Sequence, residues 1–209
     1  MCLMNQFVLA SASPARLGLL RAAGISPEVL VSDVDEDVVE AAARRQDPRL
    51  SPAALAQILA EAKGAAVRDR LAGDERLVLA CDSILEVDGA VHGKPGTVEV
   101  ARSRWREVRD RSGILHTGHW LLDLRTGRAA GAPASATVHF ADITDEEIEG
   151  YVATGEPLHV AGGFTLDGLG APFIESIEGH PSTVVGLCLP LLRQLLGQLD
   201  IAWWDVAAG

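Results

Sequence analysis

The chain has little of what marks secreted or membrane-spanning proteins. Its three cysteines, Cys2, Cys81 and Cys188, are too few for a disulfide framework and match no metal-site spacing. Every run without a charged residue is shorter than the roughly 18 apolar residues of a membrane span, and the run 179–192 also contains His180 and two prolines. The first residues lack the basic region and cleavage pattern of a secretory signal. We therefore expect a cytoplasmic protein without a membrane span.

Basic residues are scarce in the last part of the chain. The net charge is −11, but residues 1–128 contain 17 Lys or Arg and 18 Asp or Glu, a balance of −1. Residues 129–209 contain Arg193 against 11 acidic residues, a balance of −10. Proteins that coat nucleic acid depend on basic surface, so the chain is not expected to bind nucleic acid. The nearly neutral first part can still bind a small anion locally.

Lysine is the rarest charged residue type. Of 18 basic residues only Lys63 and Lys94 are lysines, and the other 16 are arginines. An Ala- and Arg-rich chain of this kind is typical of a GC-rich genome, in which arginine replaces surface lysine. A site shaped for a compact ammonium would resist that replacement, because a guanidinium is a planar fork. The two lysines are therefore candidate site residues, with chance surface lysines as the alternative.

Composition and hydrophobic periodicity predict one α/β domain over residues 1–209. Hydrophobic residues make up 48% and charged residues 22%, a globular balance. Strands are predicted over 6–12, 28–32, 76–87, 114–124 and 134–140, with an interruption at 82–83 and a hairpin at 88–89. Helices are predicted over 14–24, from the acidic segment 33–37 to 45, from 52 to about 72, over 98–108, from 144 to about 155 and over 184–199, the last bent or divided by Pro190. Strands and helices alternate in the first half of the chain, and strands cluster later. We therefore expect a mixed sheet flanked by helices, with the last two strands antiparallel.

The strand-to-helix junction ASASPAR is the first candidate site. Free N–H groups at a helix start attract anions, and Ser11, Ser13 and Arg16 add two hydroxyls and a guanidinium. Ser13 before Pro14 can cap the helix, and Arg16 can bind phosphate oxygens. The alternative is an ordinary Ser-Pro helix start with a solvated arginine.

Asp82 is the second candidate, because it lies in the most hydrophobic predicted strand, LVLACDSILEV. An unpaired carboxylate there would be costly to bury, so a metal ion, a basic partner or a proton-transfer role would explain it. The alternative is a buried, hydrogen-bonded structural aspartate. Lys94 in Gly-Lys-Pro offers a point charge after the hairpin, and Lys63 could deliver a second ammonium from its helix or simply be solvated. The acidic segment around Glu36 could supply a ligand to a hard metal or cap a helix.

The remaining polar residues give weaker signals. His116 and His119 are three apart in a predicted strand and so face opposite sides, which favours structural roles over a metal pair. No serine or cysteine stands in a known nucleophile motif. A covalent hydrolase mechanism is therefore disfavoured.

Several segments, taken in order, resemble the Maf family of nucleoside triphosphate pyrophosphatases. They are ASASPAR, VDED, AEAKG, ACDSILEVDG with HGKP, SGILHTG, YVATGEP, VAGGFTLDGLG and GHPSTVVGLCLPLL. The similarity runs nearly end to end. It implies an elongated mixed sheet with two lobes around a deep cleft. It also implies hydrolysis of nucleoside triphosphates to monophosphate and pyrophosphate with a divalent cation, Mg²⁺, Mn²⁺ or Co²⁺. A homodimer is a further expectation from the family.

The resemblance also implies residue roles. Ser11, Ser13 and Arg16 fall on the family's phosphate-binding signature, and Lys63 and Lys94 fall on its two basic positions. Asp82 matches the carboxylate regarded as proton acceptor. Glu36 matches an acidic position suited, together with Asp82, to the metal.

Three positions linked to base specificity depart from the better-defined branches of the family. By resemblance, the branch acting on thymidine and uridine triphosphates has Arg, Thr and Gln at these positions. The branch acting on 7-methylguanosine triphosphate has residues that look like Trp, Gln and Glu there. This chain has Ala15, Ser83 and Asp167. Ala15 would leave room at the base, and Asp167 would accept hydrogen bonds from guanine-like donors or favour a cationic base. The alternative is that Asp167 belongs to a surface turn.

Two other functions fit the same residues. One is a nucleotide-binding regulator of septum formation whose catalysis is incidental, the role from which the family took its name. The other is a metal-dependent phosphatase that releases orthophosphate. An aspartate beside an anionic ligand favours an enzyme over simple binding.

Overall fold

Seven strands form one mixed sheet in the computed structural model. The structure describes residues 7–207, so Cys2 and Gln6, the predicted start of the first strand, lie outside the described residues. The strands are β1 (Phe7–Leu9), β2 (Glu28–Val29), β3 (Leu77–Val87), β4 (Ala90–His92), β5 (Ser112–Asp123), β6 (Arg128–Phe140) and β7 (Ile174–Glu178). Their order is β2-β1-β3-β5-β6-β7, with β4 paired to β3. β1 is parallel to β2 and β3, whereas β3–β4 and β6–β7 are antiparallel. The predicted mixed α/β sheet is confirmed.

Three of the α-helices begin at the side-chain caps that the sequence predicts. The α-helices are α1 (Pro14–Ala22), α2 (Glu36–Gln46), α3 (Pro52–Arg70), α4 (Val98–Val108), α5 (Asp145–Ala153), α6 (Pro181–Val185), α7 (Leu189–Gln198) and α8 (Trp203–Val206). Ser13 and Ser51 accept hydrogen bonds from the amides three residues on, with a proline following each cap. Thr144 and Glu147 form the predicted capping box. No helix in the described part of the chain has the length and apolarity needed to cross a bilayer.

Three sequence predictions need correction. The strand predicted to be interrupted at 82–83 is continuous, and Asp82 lies within β3. The helix predicted over 184–199 is two helices, because Gly186 adopts a φ of 113° between them. Pro190 lies in the first turn of α7, where its missing N–H is not needed, so it starts a helix and bends none. β7 was not predicted.

The chain folds into two compact units. The first comprises the residues up to Asp82, Thr117–Ala134 and the residues from Gly186 onward, and the second comprises Ser83–His116 and Ser135–Val185. Leucines of β1, β3, β5 and α7 fill the core of the first. In the second, Trp105 makes edge-to-face contacts with Phe140, Tyr151 and Phe173. The deep cleft implied by the resemblance concerns how the units are arranged and stays a prediction.

Two glycines let α3 lie close to β5 in the first unit. A Cβ on Gly118 would meet the α3 backbone at Ala56, 2.2 Å from its carbonyl oxygen, and a Cβ on Gly64 would lie 2.1 Å from the Trp120 ring. Gln57 of α3 joins the same strand, because its amide donates to the His119 carbonyl at 2.9 Å and accepts from the His119 amide at 3.1 Å. These contacts fix the position of α3, the helix that carries Lys63.

We predict that Gly118→Ala destabilises the protein by about 1–3 kcal/mol or more, because the added methyl overlaps backbone atoms that cannot rotate away. Gly18→Ala is the matched control: it lies in α1 with nothing within 4 Å of an added Cβ, so it should be neutral or stabilising by up to about 1 kcal/mol. Urea unfolding measures both. Equal stability of the two variants would contradict the close packing of α3 on β5.

Candidate functional site

Lys63 joins two carboxylates in the first unit. Its ammonium Nζ lies 2.5 Å from Asp82 Oδ1 and 2.7 Å from Glu36 Oε1. α3 supplies Lys63, β3 supplies Asp82, and the first turn of α2 supplies Glu36. The Lys63 and Asp82 side chains are 11% and 9% exposed, whereas that of Glu36 is 49% exposed. The structure therefore brings together three of the predicted site residues from three separate elements.

The environment of Asp82 favours proton transfer. Burial raises the pKa of this carboxyl above its usual range, while the nearby charges of Lys63 and Arg16 act in the opposite direction and favour the ionised form. A carboxylate with a raised pKa is a better proton acceptor than a solvated one. Asp82 is thus a base candidate held in place by an ammonium.

Arg16 is fixed at the start of α1 by protein acceptors. Its Nε donates to the Gly186 carbonyl at 2.8 Å, and its Nη1 donates to the Cys81 carbonyl at 2.8 Å and to Ser11 Oγ at 3.0 Å. Ser13 caps the helix by accepting from the Arg16 amide at 3.3 Å. The helix-cap role of Ser13 is confirmed. Phosphate binding by Ser11, Ser13 and Arg16 stays a prediction, with the guanidinium now given a fixed orientation.

His119 supports the segment that binds Arg16. It is fully buried in β5, and its Nε2 accepts the Cys188 amide at 2.8 Å, two residues after Gly186. Burial and the positive charge of Arg16 lower the pKa of His119 to about 4, so the ring is neutral and can accept this hydrogen bond. The predicted structural role fits these contacts, and the link to Arg16 adds a reason for it.

Three of the other predicted site residues, Ser83, Lys94 and Asp167, lie in the second unit. Lys94 is exposed on the loop after β4, where Arg104 Nη1 donates to the Gly93 carbonyl at 2.5 Å and the Gly162 amide donates to the same oxygen at 3.3 Å. Asp167 is exposed on the turn 165–170. Ser83 follows Asp82 along β3, and Ala15 lies in the first turn of α1 in the first unit.

The chemistry of the donor set fits a divalent cation that shares its ligands with a substrate. No group of three or more His, Cys, Asp or Glu residues within 7–207 could hold a metal ion. Glu36 and Asp82 nevertheless offer hard oxygen ligands to one cation, the Lys63 ammonium. Mg²⁺ is commonly bound by one or two carboxylates together with substrate phosphates and water. Glu36 and Asp82 match the carboxylate part of that pattern.

Comparison with known proteins decides the family. The model of the family described as Maf-like protein matches residues 6–199. The chain belongs to the Maf family. The Maf relatives include a protein of Leifsonia xyli subsp. xyli that is 56% identical over 203 residues, covering 95% of this chain and 94% of the relative. A protein of Salinispora tropica is 57% identical over 199 residues, covering 94% and 84%, and one of Streptomyces coelicolor is 53% identical over 195 residues, covering 93% and 91%. All three are named nucleoside triphosphate pyrophosphatase.

Sequence reasoning missed the backbone groups of this Maf site. The carbonyls of Cys81 and Gly186 hold Arg16, and no side-chain pattern reveals a carbonyl that is used in this way. Burial raises the pKa of the Cys81 thiol to about 12, so Cys81 contributes through its backbone and is no nucleophile. Gly186 was the one sequence signal for this contact, because glycine commonly ends a helix. In the structure Gly186 has a positive φ, the helix is broken there, and its carbonyl accepts from Arg16.

We predict that Lys63→Met destabilises the protein by about 3 kcal/mol at pH 8, because a buried carboxylate loses its cation. Adding Asp82→Asn to this variant should recover most of the lost stability, since both side chains at positions 63 and 82 are then uncharged. Urea unfolding of the wild type, both single variants and the double variant measures the coupling. Additive losses would show that the two side chains do not depend on each other.

A pH effect follows from His119. Its pKa is about 4 in the fold against an ordinary 6.5, so the unfolded chain binds this proton first as the pH falls. The stabilising contribution is complete above pH 6.5 and is lost between 6.5 and about 4, by up to roughly 3 kcal/mol. His119→Gln keeps an acceptor without titrating, so its unfolding free energy should fall less over this range. Parallel pH profiles for variant and wild type would contradict the assignment.

Proposed function

We propose that this chain is a hydrolase of phosphoric anhydride bonds that converts nucleoside triphosphates, ordinary or modified, to monophosphate and pyrophosphate. The observation that carries the proposal is the buried Asp82 carboxylate bonded to Lys63 beside the fixed guanidinium of Arg16. The names of the relatives at 53–57% identity support the same activity. A carboxylate alone would repel a triphosphate, so the adjacent cations are what make the site compatible with this substrate.

Asp82 is the proton acceptor in this proposal. It takes a proton from a water molecule, whose oxygen forms a bond to the α-phosphorus as the bond to the β-phosphate oxygen breaks and pyrophosphate leaves. Lys63 orients the carboxylate through Oδ1, and its charge together with that of Arg16 stabilises the negative charge of the phosphates. Positioning and electrostatics supply most of the catalysis in phosphoryl chemistry of this type.

The substrate phosphates are assigned to the remaining predicted residues. Ser11 and Ser13 lie at the positively polarised start of α1, with Arg16 in its first turn, and these groups suit phosphate oxygens. Lys94 of the second unit is the proposed second ammonium, because its side chain is exposed on a loop whose backbone is tied down at Gly93. Glu36 and Asp82 would hold the divalent cation, Mg²⁺, Mn²⁺ or Co²⁺, which when bound neutralises phosphate charge.

The nucleobase is proposed to meet Ala15, Ser83 and Asp167. The small side chain of Ala15 leaves space, and the exposed carboxylate of Asp167 can accept hydrogen bonds from guanine-like N–H groups or attract a cationic methylated base. Further elements of the proposal are a cytoplasmic location and a homodimer. No role in nucleic-acid binding is proposed, because the charge of −11 opposes it.

The decisive test incubates the protein with Mg²⁺, Mn²⁺ or Co²⁺ and a panel of ordinary and modified nucleoside triphosphates, and measures pyrophosphate and orthophosphate separately. We expect pyrophosphate. Asp82→Asn should lower kcat by about 10²–10⁴-fold while the protein stays folded, since the proton acceptor is lost. Asp123→Asn is the control, because Asp123 is also a buried aspartate but its ion-pair partner is Arg125.

Other outcomes identify the alternative functions. Orthophosphate as the product would indicate a phosphatase. Nucleotide binding without turnover across the panel would favour a regulatory protein of septum formation. Near-normal turnover by Asp82→Asn would remove Asp82 from the role of base.

Base recognition has its own test. Asp167→Asn replaces one acceptor oxygen by a donor, so kcat/KM for a guanine-type or methylated base should fall relative to a pyrimidine by about tenfold. The same panel measures this ratio. An unchanged base preference would show that Asp167 belongs only to a surface turn.

A further inference from the structure

The turn that carries Asp167 is wound around one carboxylate, that of Glu156. Oε1 of Glu156 accepts from Thr165 Oγ1 at 2.5 Å, from the Tyr151 hydroxyl at 3.0 Å and from the Gly170 amide at 3.1 Å. Oε2 accepts from the Leu169 amide at 3.0 Å. These donors lie on both sides of Asp167 along the chain. The half-buried carboxylate thus fixes both ends of a turn whose middle, 167–169, is exposed.

The bonds around Glu156 act on its ionised form. Burial alone would raise the pKa of Glu156, but the hydrogen bonds from Thr165, Leu169, Tyr151 and Gly170 outweigh it and hold the pKa below its usual range. Four donors converging on an anion form charge-assisted bonds, which are stronger than neutral ones. The turn is therefore preorganised at neutral pH, and no change of Glu156 charge is needed to shape it.

The backbone of the turn also fits closely against this carboxylate. A Cβ on Gly168, the residue after Asp167, would lie 2.6 Å from Glu156 Oε2 and 2.9 Å from Thr165 Oγ1. A Cβ on Gly170 would lie 2.6 Å from the Tyr151 hydroxyl. The glycines allow the backbone of the turn to approach Glu156. The hydrogen bonds to the Glu156 carboxylate therefore depend on glycine at these two positions.

We infer that Glu156 is a positioning residue for nucleobase recognition, which acts by fixing the turn 165–170 so that Asp167 is presented in one geometry. The inference rests on the proposed function. A preorganised recognition group lowers the cost of ordering the turn when the base binds, so its effect falls on substrate binding and selectivity. Glu156 itself contacts no reacting atom in this scheme.

The test compares wild type with Glu156→Gln over the nucleotide panel. The amide keeps the shape of Glu156 but turns one acceptor oxygen into a donor that faces other donors, so the turn should loosen. We expect the ratio of kcat/KM between the most and least favoured bases to fall by about tenfold. The loss should lie in KM for the favoured nucleotide, with kcat within about threefold of wild type.

Glu147→Gln is the matched control. Glu147 is in the same unit and accepts from the Thr144 amide at 2.7 Å and from the Thr144 hydroxyl at 3.0 Å, but it caps α5 and does not touch the turn. Both variants should lower the melting temperature, and only Glu156→Gln should alter base selectivity. An unchanged selectivity ratio in Glu156→Gln, or the same change in both variants, overturns the inference.

Gly168→Ala provides a second, independent variant. It leaves Glu156 unchanged but places a methyl group against the Glu156 carboxylate, which should push the turn away. The same loss of base selectivity is therefore expected, while the hydrophobic core stays as it is. If Glu156→Gln does not fold, this variant decides by the same ratio. Failure of wild type to release pyrophosphate from any nucleotide would instead overturn the proposed function, which separates the two failures.

Discussion

Asp82 lies in an apolar strand, where an isolated carboxylate would be strongly disfavoured, and the Lys63 ammonium makes its burial tolerable. That ion pair sets requirements on the surrounding fold. α3 has to approach β5 closely to deliver Lys63, which explains the contacts of Gly64 and Gly118. Glu36 at the start of α2 shares the same ammonium, so three elements meet at one nitrogen atom. The burial that makes the Asp82 carboxylate costly also raises its pKa, which suits the proposed role of proton acceptor.

The remaining supports of the site are mainly backbone groups. Arg16 is oriented by the carbonyls of Gly186 and Cys81, and His119 binds the amide of Cys188 close by. Each of these contacts joins segments far apart in the chain. They explain how a short junction such as ASASPAR, common as a helix start, acquires a fixed cation.

The sequence was most informative where chemistry and local pattern agree. The apolar setting of Asp82 and the scarcity of lysine singled out Asp82 and Lys63 separately, and the structure joins them. α4 runs over the predicted 98–108 because its periodicity is a local signal. The break before α7 was misplaced at Pro190, since a proline signal is ambiguous between a kink and a start. The roles of the Cys81 carbonyl and of Glu156 could not be predicted, because both depend on contacts between distant segments or several donors at once.

The central claim is that water activated beside Asp82 attacks the α-phosphorus. A single turnover in H₂¹⁸O, followed by mass spectrometry of both products, tests it directly. The label should enter the nucleoside monophosphate, and the pyrophosphate should carry none. Label in the pyrophosphate, or labelled orthophosphate, would place the attack on another phosphorus and contradict the account.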